Sequence, residues 1–217
     1  MNVKMIAVIG AGIMGRGIAQ VAVLGGFDSV LNDMSAELLE SARSRIEQDM
    51  QKGVDRGKLT AGGMSAGLDR LSNSTDLEES VAKADIVIEA VPEKIDLKMD
   101  IFRRIDKAAP GHAILASNTS GLSITEMAAA TARPKKVIGM HFFNPVHKMK
   151  LVEIIRGLET DDDTFKTVEA ISIQMGKETV EVNESPGFVT SRINALIGNE
   201  ALCSRPVSVA RSTSTRH

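Results

Sequence analysis

His141 closes a short apolar run, Val137 to His141, and Glu153 lies in a second such run, Lys150 to Arg156, beyond the turn at Asn144-Pro145. An imidazole titrates near neutral pH, so a histidine at a strand end can take the hydroxyl proton of an alcohol as hydride departs. A carboxylate on the neighbouring strand can receive the other ring N–H and stabilise the imidazolium that forms. Taken singly, each residue has a plainer explanation: a structural histidine and an exposed strand glutamate. The motifs around them reverse that weighting.

The first of these is Gly10-Ala11-Gly12-Ile13-Met14-Gly15. It follows the apolar run Lys4 to Ile9 and opens the alanine- and valine-rich stretch Ile13 to Leu24, which stops at Gly25-Gly26. Strand, glycine turn and helix in that order aim bare backbone N–H groups and the positive end of the helix dipole at an anion. Gly12 lets a pyrophosphate approach the backbone. Asp33 stands 18 residues after Gly15, at the end of the run Ser29 to Asn32. A carboxylate there accepts the ribose hydroxyls and repels a 2′-phosphate, which favours NAD over NADP. The alternative for Asp33 is a helix cap before Ser35.

These residues need a scaffold. Leu38, Leu39, Ala42, Ile46 and Met50 recur at helical spacing, predicting an amphipathic helix to about Arg56. Gly57 to Gly67 holds four glycines and reads as a turn between helices or a hairpin tip. Asp85–Ala90, Ala113–Ser117 and Val137–His141 read as buried strands separated by helical stretches, an alternation that predicts a parallel sheet covered on both faces. Lys150–Arg156 and Thr179–Val182 add two strands around a helix from Asp162 to Met175. After Pro186-Gly187, Phe188 to Ala201 is helical in pattern, whereas 204–217 has no apolar period and predicts no fold.

Four segments carry a resemblance: Glu89-Ala90-Val91-Pro92-Glu93, Ser117-Asn118-Thr119-Ser120, Gly139-Met140-His141-Phe142-Phe143-Asn144-Pro145 and Lys150-Leu151-Val152-Glu153. In this order they resemble the L-3-hydroxyacyl-CoA dehydrogenases, especially the bacterial 3-hydroxybutyryl-CoA dehydrogenases, over about residues 4–201. The resemblance implies an α/β, Rossmann-type doubly wound sheet over 1–185 and the start of a helical substrate and dimerisation domain over 186–217. It implies His141 as general base, Glu153 as its orienting partner and Ser120 as the residue holding the reacting oxygen. Ala90, Glu93, Lys98, Asn118 and Asn144 join Gly10, Gly12, Ile13, Met14, Gly15 and Asp33 as cofactor neighbours. For Lys98 a solvated helix surface is an equal alternative. Lys52 and Arg56 share a helix face at i, i+4 and would meet the phosphates of the CoA carrier, although an ordinary surface pair is the commoner meaning of that spacing.

The sequence departs from the family twice. Ser191 stands where the family has an asparagine that helps to hold the substrate oxygen; a hydroxyl makes the same hydrogen bond with less reach. After Ala201 the family pattern stops. Permitted codons for Pro206 to Arg216, read in a shifted frame, resemble the family's continuation, which predicts a frame shift near Ala201, a truncated second domain over 186–217 with a disordered or frame-shifted tail from about 202, a largely missing dimer interface, and a chain that binds NAD but turns over poorly.

Composition narrows the alternatives. The 217 residues have a net charge of -2, no tryptophan or tyrosine and six phenylalanines, so there is no general attraction for nucleic acid and almost no stacking material, and any basic recognition must be local. The single Cys203 allows no internal disulfide, and no cysteine cluster suggests a metal site, which together predict a cytoplasmic location. The apolar run after Lys4 is interrupted too early for a signal peptide or membrane span. Two other functions share part of the pattern. A non-catalytic NAD-binding module has no need of His141 and Glu153 together, and a dehydrogenase of a free 3-hydroxy acid would more naturally use a lysine base.

Overall fold

A computed structural model describes residues 2–203. Its strands are Met5–Ile9 (β1), Asp28–Asn32 (β2), Leu71–Ser74 (β3), Ile86–Glu89 (β4), Ile114–Ser117 (β5), Val137–Phe142 (β6), Leu151–Arg156 (β7) and Glu178–Asn183 (β8). They form one sheet in the order β3-β2-β1-β4-β5-β6-β7-β8. Strands β1 to β6 pair in parallel, β7 runs antiparallel to β6, and β8 is parallel to β7. The strand order reverses between β1 and β4, which opens a crevice at their carboxyl ends where such sheets take ligands.

Every residue of β4, β5 and β6 is buried, because helices cover both faces. One face carries Ile13–Leu24 (α1), Ala36–Asp55 (α2) and Asp162–Gln174 (α7), packed through Ile18, Ala22, Ile46, Met50, Val168 and Ile171. The other carries Leu77–Val81 (α4), Ile95–Ala108 (α5) and Ile124–Ala129 (α6), packed through Val81, Ile101, Phe102, Ile105, Ile124 and Met127. Helix starts are set locally: the side chains of Ser35, Asp76, Ser123 and Asp161 each accept a first-turn N–H.

Three features differ from the sequence reading. Ala61–Asp69 is a helix (α3) inside the stretch read as a turn, capped by Thr60 and packed against the first cluster through Met64 and Leu68. Packing outweighs the low helix propensity of Gly62, Gly63 and Gly67. The turn proper contracts to the segment around Gly57, which has φ +67°. The edge strand β3 is unforeseen because Leu-Ser-Asn-Ser has one buried residue and no alternation; it exists by pairing with β2. The last helix, Thr190–Cys203 (α8), begins after Phe188 rather than at it, since Phe188 takes φ +49° and buries its ring. The segment 204–217 expected to be without fold lies outside the described residues.

Candidate active site

The antiparallel register places His141 opposite Glu153, so both side chains leave the sheet on the same face. His141 Nδ1 lies 2.7 Å from Glu153 Oε2. Glu153 is wholly buried, a placement that requires compensating donors. They come from α8: the Thr190 N–H donates to Oε1 at 2.9 Å and the Thr190 hydroxyl to Oε2 at 3.1 Å. The imidazole packs against Phe143, with ring centroids 4.5 Å apart, and faces Phe188 at 6.1 Å. With Nδ1 engaged by the carboxylate, Nε2 is the nitrogen left to take a proton.

Across the switch point the glycine turn lies beside Ala90. A Cβ on Gly10 would fall 2.8 Å from the Ala90 carbonyl oxygen, and one on Gly15 would fall 1.7 Å from the Gly10 oxygen, so the turn and the helix close tightly only with glycine. At Gly12 nothing lies within 4 Å, which leaves open space over the N-terminus of α1. No side chain caps that helix, Ile13 is exposed and Met14 half-buried beside the opening. Asp33 accepts the Ala11 N–H at 2.8 Å and that of Ser35 at 3.3 Å, which fixes its carboxylate against the turn. The helix cap after it is Ser35, which removes the capping alternative for Asp33. An open glycine cradle, uncapped N–H groups and an anchored carboxylate fit a dinucleotide with free ribose hydroxyls.

Beneath the crevice lies a cluster of carboxylates. Glu89, at the end of β4, accepts Lys98 Nζ at 2.6 Å, the Val91 N–H at 2.7 Å and the Ser117 hydroxyl at 2.6 Å. Glu93 accepts the Thr119 hydroxyl at 2.5 Å and the Ser120 N–H at 2.8 Å, and its other oxygen is 3.3 Å from Lys98 Nζ. Lys98 is therefore not a solvated surface residue. Its side chain has no exposed area, and it ties the β4–α5 loop to the sheet. Asn118 accepts the Phe142 N–H at 2.9 Å through its side-chain oxygen, which couples the ends of β5 and β6. Ser120 and Asn144 are exposed at the same edge, while half-buried Ser191 follows Thr190 in the first turn of α8.

Lys52 and Arg56 line a cleft of about 910 Å³ between α2, the β6–β7 loop and the turn before β8. The cleft gathers cations from distant segments that the i, i+4 spacing could not reveal: Lys58, Lys148, Lys150 and Lys177. Lys52 itself holds Asp49 at 3.0 Å. Buried Lys177 donates to the carbonyls of Val146 and Met149, and burial pushes its pKa below the usual lysine range. His147 lines the same cleft; burial is the main cause of its lowered pKa, with Lys148 and Lys177 adding to the lowering and Asp49 opposing it.

A doubly wound sheet, a glycine cradle at its switch point and an acidic residue after β2 define the class: the nucleotide-binding domain of an NAD-linked dehydrogenase. The pattern described as "3-hydroxyacyl-CoA dehydrogenase, NAD binding domain" matches residues 5–185, and the chain belongs to that family. A probable 3-hydroxybutyryl-CoA dehydrogenase of Bacillus subtilis is 47% identical over 202 residues, covering 93% of this chain and 70% of the relative. The human mitochondrial hydroxyacyl-coenzyme A dehydrogenase is 41% identical, covering 88% of this chain and 62% of its own length. The crystal structure of (S)-3-hydroxybutyryl-CoA dehydrogenase from Ralstonia eutropha superposes with a TM-score of 0.90 at 42% identity, covering 93% of this chain and 71% of that one. Among the described residues no helix is long and apolar enough to cross a membrane.

Sequence reasoning missed Thr190 and Glu89. Glu89 carried a signal, a carboxylate closing an otherwise apolar strand, whereas nothing in the local pattern around Thr190 distinguishes it.

Proposed function

We propose that the chain catalyses the NAD-dependent oxidation of an L-3-hydroxyacyl-CoA to the 3-ketoacyl-CoA, and the reverse reduction. The observation that carries this reading is the 2.7 Å contact between His141 and buried Glu153 at the carboxyl edge of the sheet, beside the glycine cradle. Bound NAD supplies the hydride acceptor. His141 Nε2 takes the hydroxyl proton, and Glu153 holds the ring in the tautomer that leaves Nε2 available while stabilising the imidazolium. Ser120, on a loop held by Glu93, hydrogen-bonds the reacting oxygen, and Ser191 assists it from α8. Asn118 and Asn144 border the nicotinamide side of the crevice, with Ala90 and Glu93 along the cofactor, and Asp33 selects the unphosphorylated ribose. Lys52 and Arg56, joined by the other cleft cations, receive the phosphates of the CoA carrier.

The NAD-binding unit in this reading is 1–185, α8 begins the substrate-domain portion, and the cytoplasm is the compartment. The test is acetoacetyl-CoA-dependent oxidation of NADH by the purified chain and its His141→Ala variant. Turnover that disappears in the variant while NADH binding persists supports the proposal. NADH binding without any turnover in either protein supports a non-catalytic binding module, and turnover of free acetoacetate equal to that of the thioester overturns the CoA assignment.

A further inference from the structure

Glu153 is a carboxylate with no exposed area, and the histidine satisfies one of its acceptor positions. A buried carboxylate with only one donor leaves acceptor positions unpaired at a cost, and a misdirected carboxylate aims the imidazole wrongly. Both remaining donors come from one residue, the first of α8. The Thr190 N–H reaches Oε1 at 2.9 Å, and the Thr190 hydroxyl reaches Oε2, the oxygen that faces the histidine, at 3.1 Å. The N–H belongs to the opening of a 14-residue helix, where the backbone dipole favours an anion. Just before it, Gly187 at φ +73° and Phe188 at φ +49° turn the chain so that the Phe188 ring is buried beside the imidazole while α8 starts over the carboxylate. Glu153 is the one charged side chain in hydrogen-bonding contact with His141 among the described residues, so whatever fixes Glu153 fixes the dyad.

We infer that Thr190 is a positioning residue for the reaction: its hydroxyl and amide lock both oxygens of Glu153, so that the seating of α8 sets the orientation of His141. This inference rests on the dehydrogenase reading for its kinetic consequence alone. The lock itself is a property of the dyad and can be observed without turnover. A link of this kind makes the base respond to the helix that leads out of the nucleotide-binding unit.

Thr190→Val keeps the amide and the shape and removes the hydroxyl, whereas Thr190→Ser keeps both donors. Protein carrying ¹⁵N-histidine is examined by NMR for the His141 Nδ1–H resonance, assigned by its loss in His141→Gln, together with NADH affinity, thermal midpoint, and kcat and KM for acetoacetyl-CoA. In Thr190→Val the resonance shifts and broadens and kcat falls about tenfold, the weight of one hydrogen bond to a charged group. NADH affinity stays within about twofold of wild type, because the cradle is untouched, and Thr190→Ser restores both signals. An unchanged resonance in Thr190→Val overturns the inference. So does a Thr190→Ser variant as defective as Thr190→Val, because the methyl group rather than the hydroxyl would then matter. A wild-type chain without turnover refutes the enzymatic reading, and the resonance still decides whether Thr190 orients the dyad.

Discussion

Replacing Lys98 by methionine removes an ammonium group and little else, and the cluster around it sets the size of the effect. Nζ lies 2.6 Å from Glu89, 3.3 Å from Glu93 and 3.3 Å from the Val91 carbonyl, with no exposed side-chain area on Lys98 or Glu89. After the substitution Glu89 stays buried with two donors, the Val91 N–H and the Ser117 hydroxyl. Breaking a buried ion pair from one side costs roughly 3–5 kcal/mol, and these two donors place the loss at the low end, about 3 kcal/mol. At about 2–4 °C per kcal/mol for a chain of this size, the thermal midpoint falls by about 6–12 °C. Calorimetry and guanidinium unfolding read the loss directly. A double-mutant cycle with Glu89→Gln tests its origin: removing both charges recovers part of the stability, with a coupling energy of about 1–3 kcal/mol. A single-variant loss under about 1 kcal/mol, or strictly additive variants, would refute a buried pair and return Lys98 to the solvated surface.

Other consequences can be checked in the same protein. Glu153→Gln lowers kcat by about 10²-fold or more while leaving NADH affinity unchanged, since it disturbs the base and not the cradle; equal losses in both would contradict the assignment. Gly15→Ala drives a methyl into the Gly10 carbonyl, so NADH binding measured by fluorescence is abolished or the protein fails to fold, and retained affinity would show that the turn is looser than described. Asp33→Ala admits NADPH, and the NADH-to-NADPH affinity ratio falls by about tenfold or more; an unchanged ratio assigns discrimination elsewhere. Stability toward acid depends on Asp85: burial raises its pKa, but the amides of Met5 and Lys4 and the His112 ring outweigh this and bring it below the ordinary aspartate value. A lowered folded-state pKa contributes stability above the unfolded value near 4 and loses it as pH falls further. Asp85→Asn therefore flattens the pH dependence of unfolding below about pH 4, and an unaltered acid limb would remove Asp85 from that role.

Much of the scaffold was legible because each element met its own local condition. The apolar runs of β1, β4, β5 and β6 are largely buried on both faces, and a strand with that environment shows mostly apolar positions, here with Glu89, Ser117 and His141 toward the carboxyl ends. The α2 helix declared itself through Leu39, Ala42, Ile46 and Met50, all buried on one face. Strand β3 and helix α3 were not legible, because Leu-Ser-Asn-Ser and a glycine-rich segment take their structure from β2 and from the first core cluster rather than from their own propensities.

The site divides along the same line. The glycine turn, Asp33 and the strand-end position of His141 are local features, fixed by neighbours a few residues away, and the sequence alone determined them together with the family. The pairing of Glu153 with His141 was also expected from the sequence, and the antiparallel register realises it; tertiary structure decided the other partnerships, bringing Thr190 from α8 onto the same carboxylate and drawing Lys98 inward to Glu89. It also assembled cleft cations from α2, the β6–β7 loop and the turn before β8. A single chain shows which residues can donate, accept or carry charge. Which of them come within about 3 Å of one another depends on the sheet order, the register and the burial that no local pattern encodes.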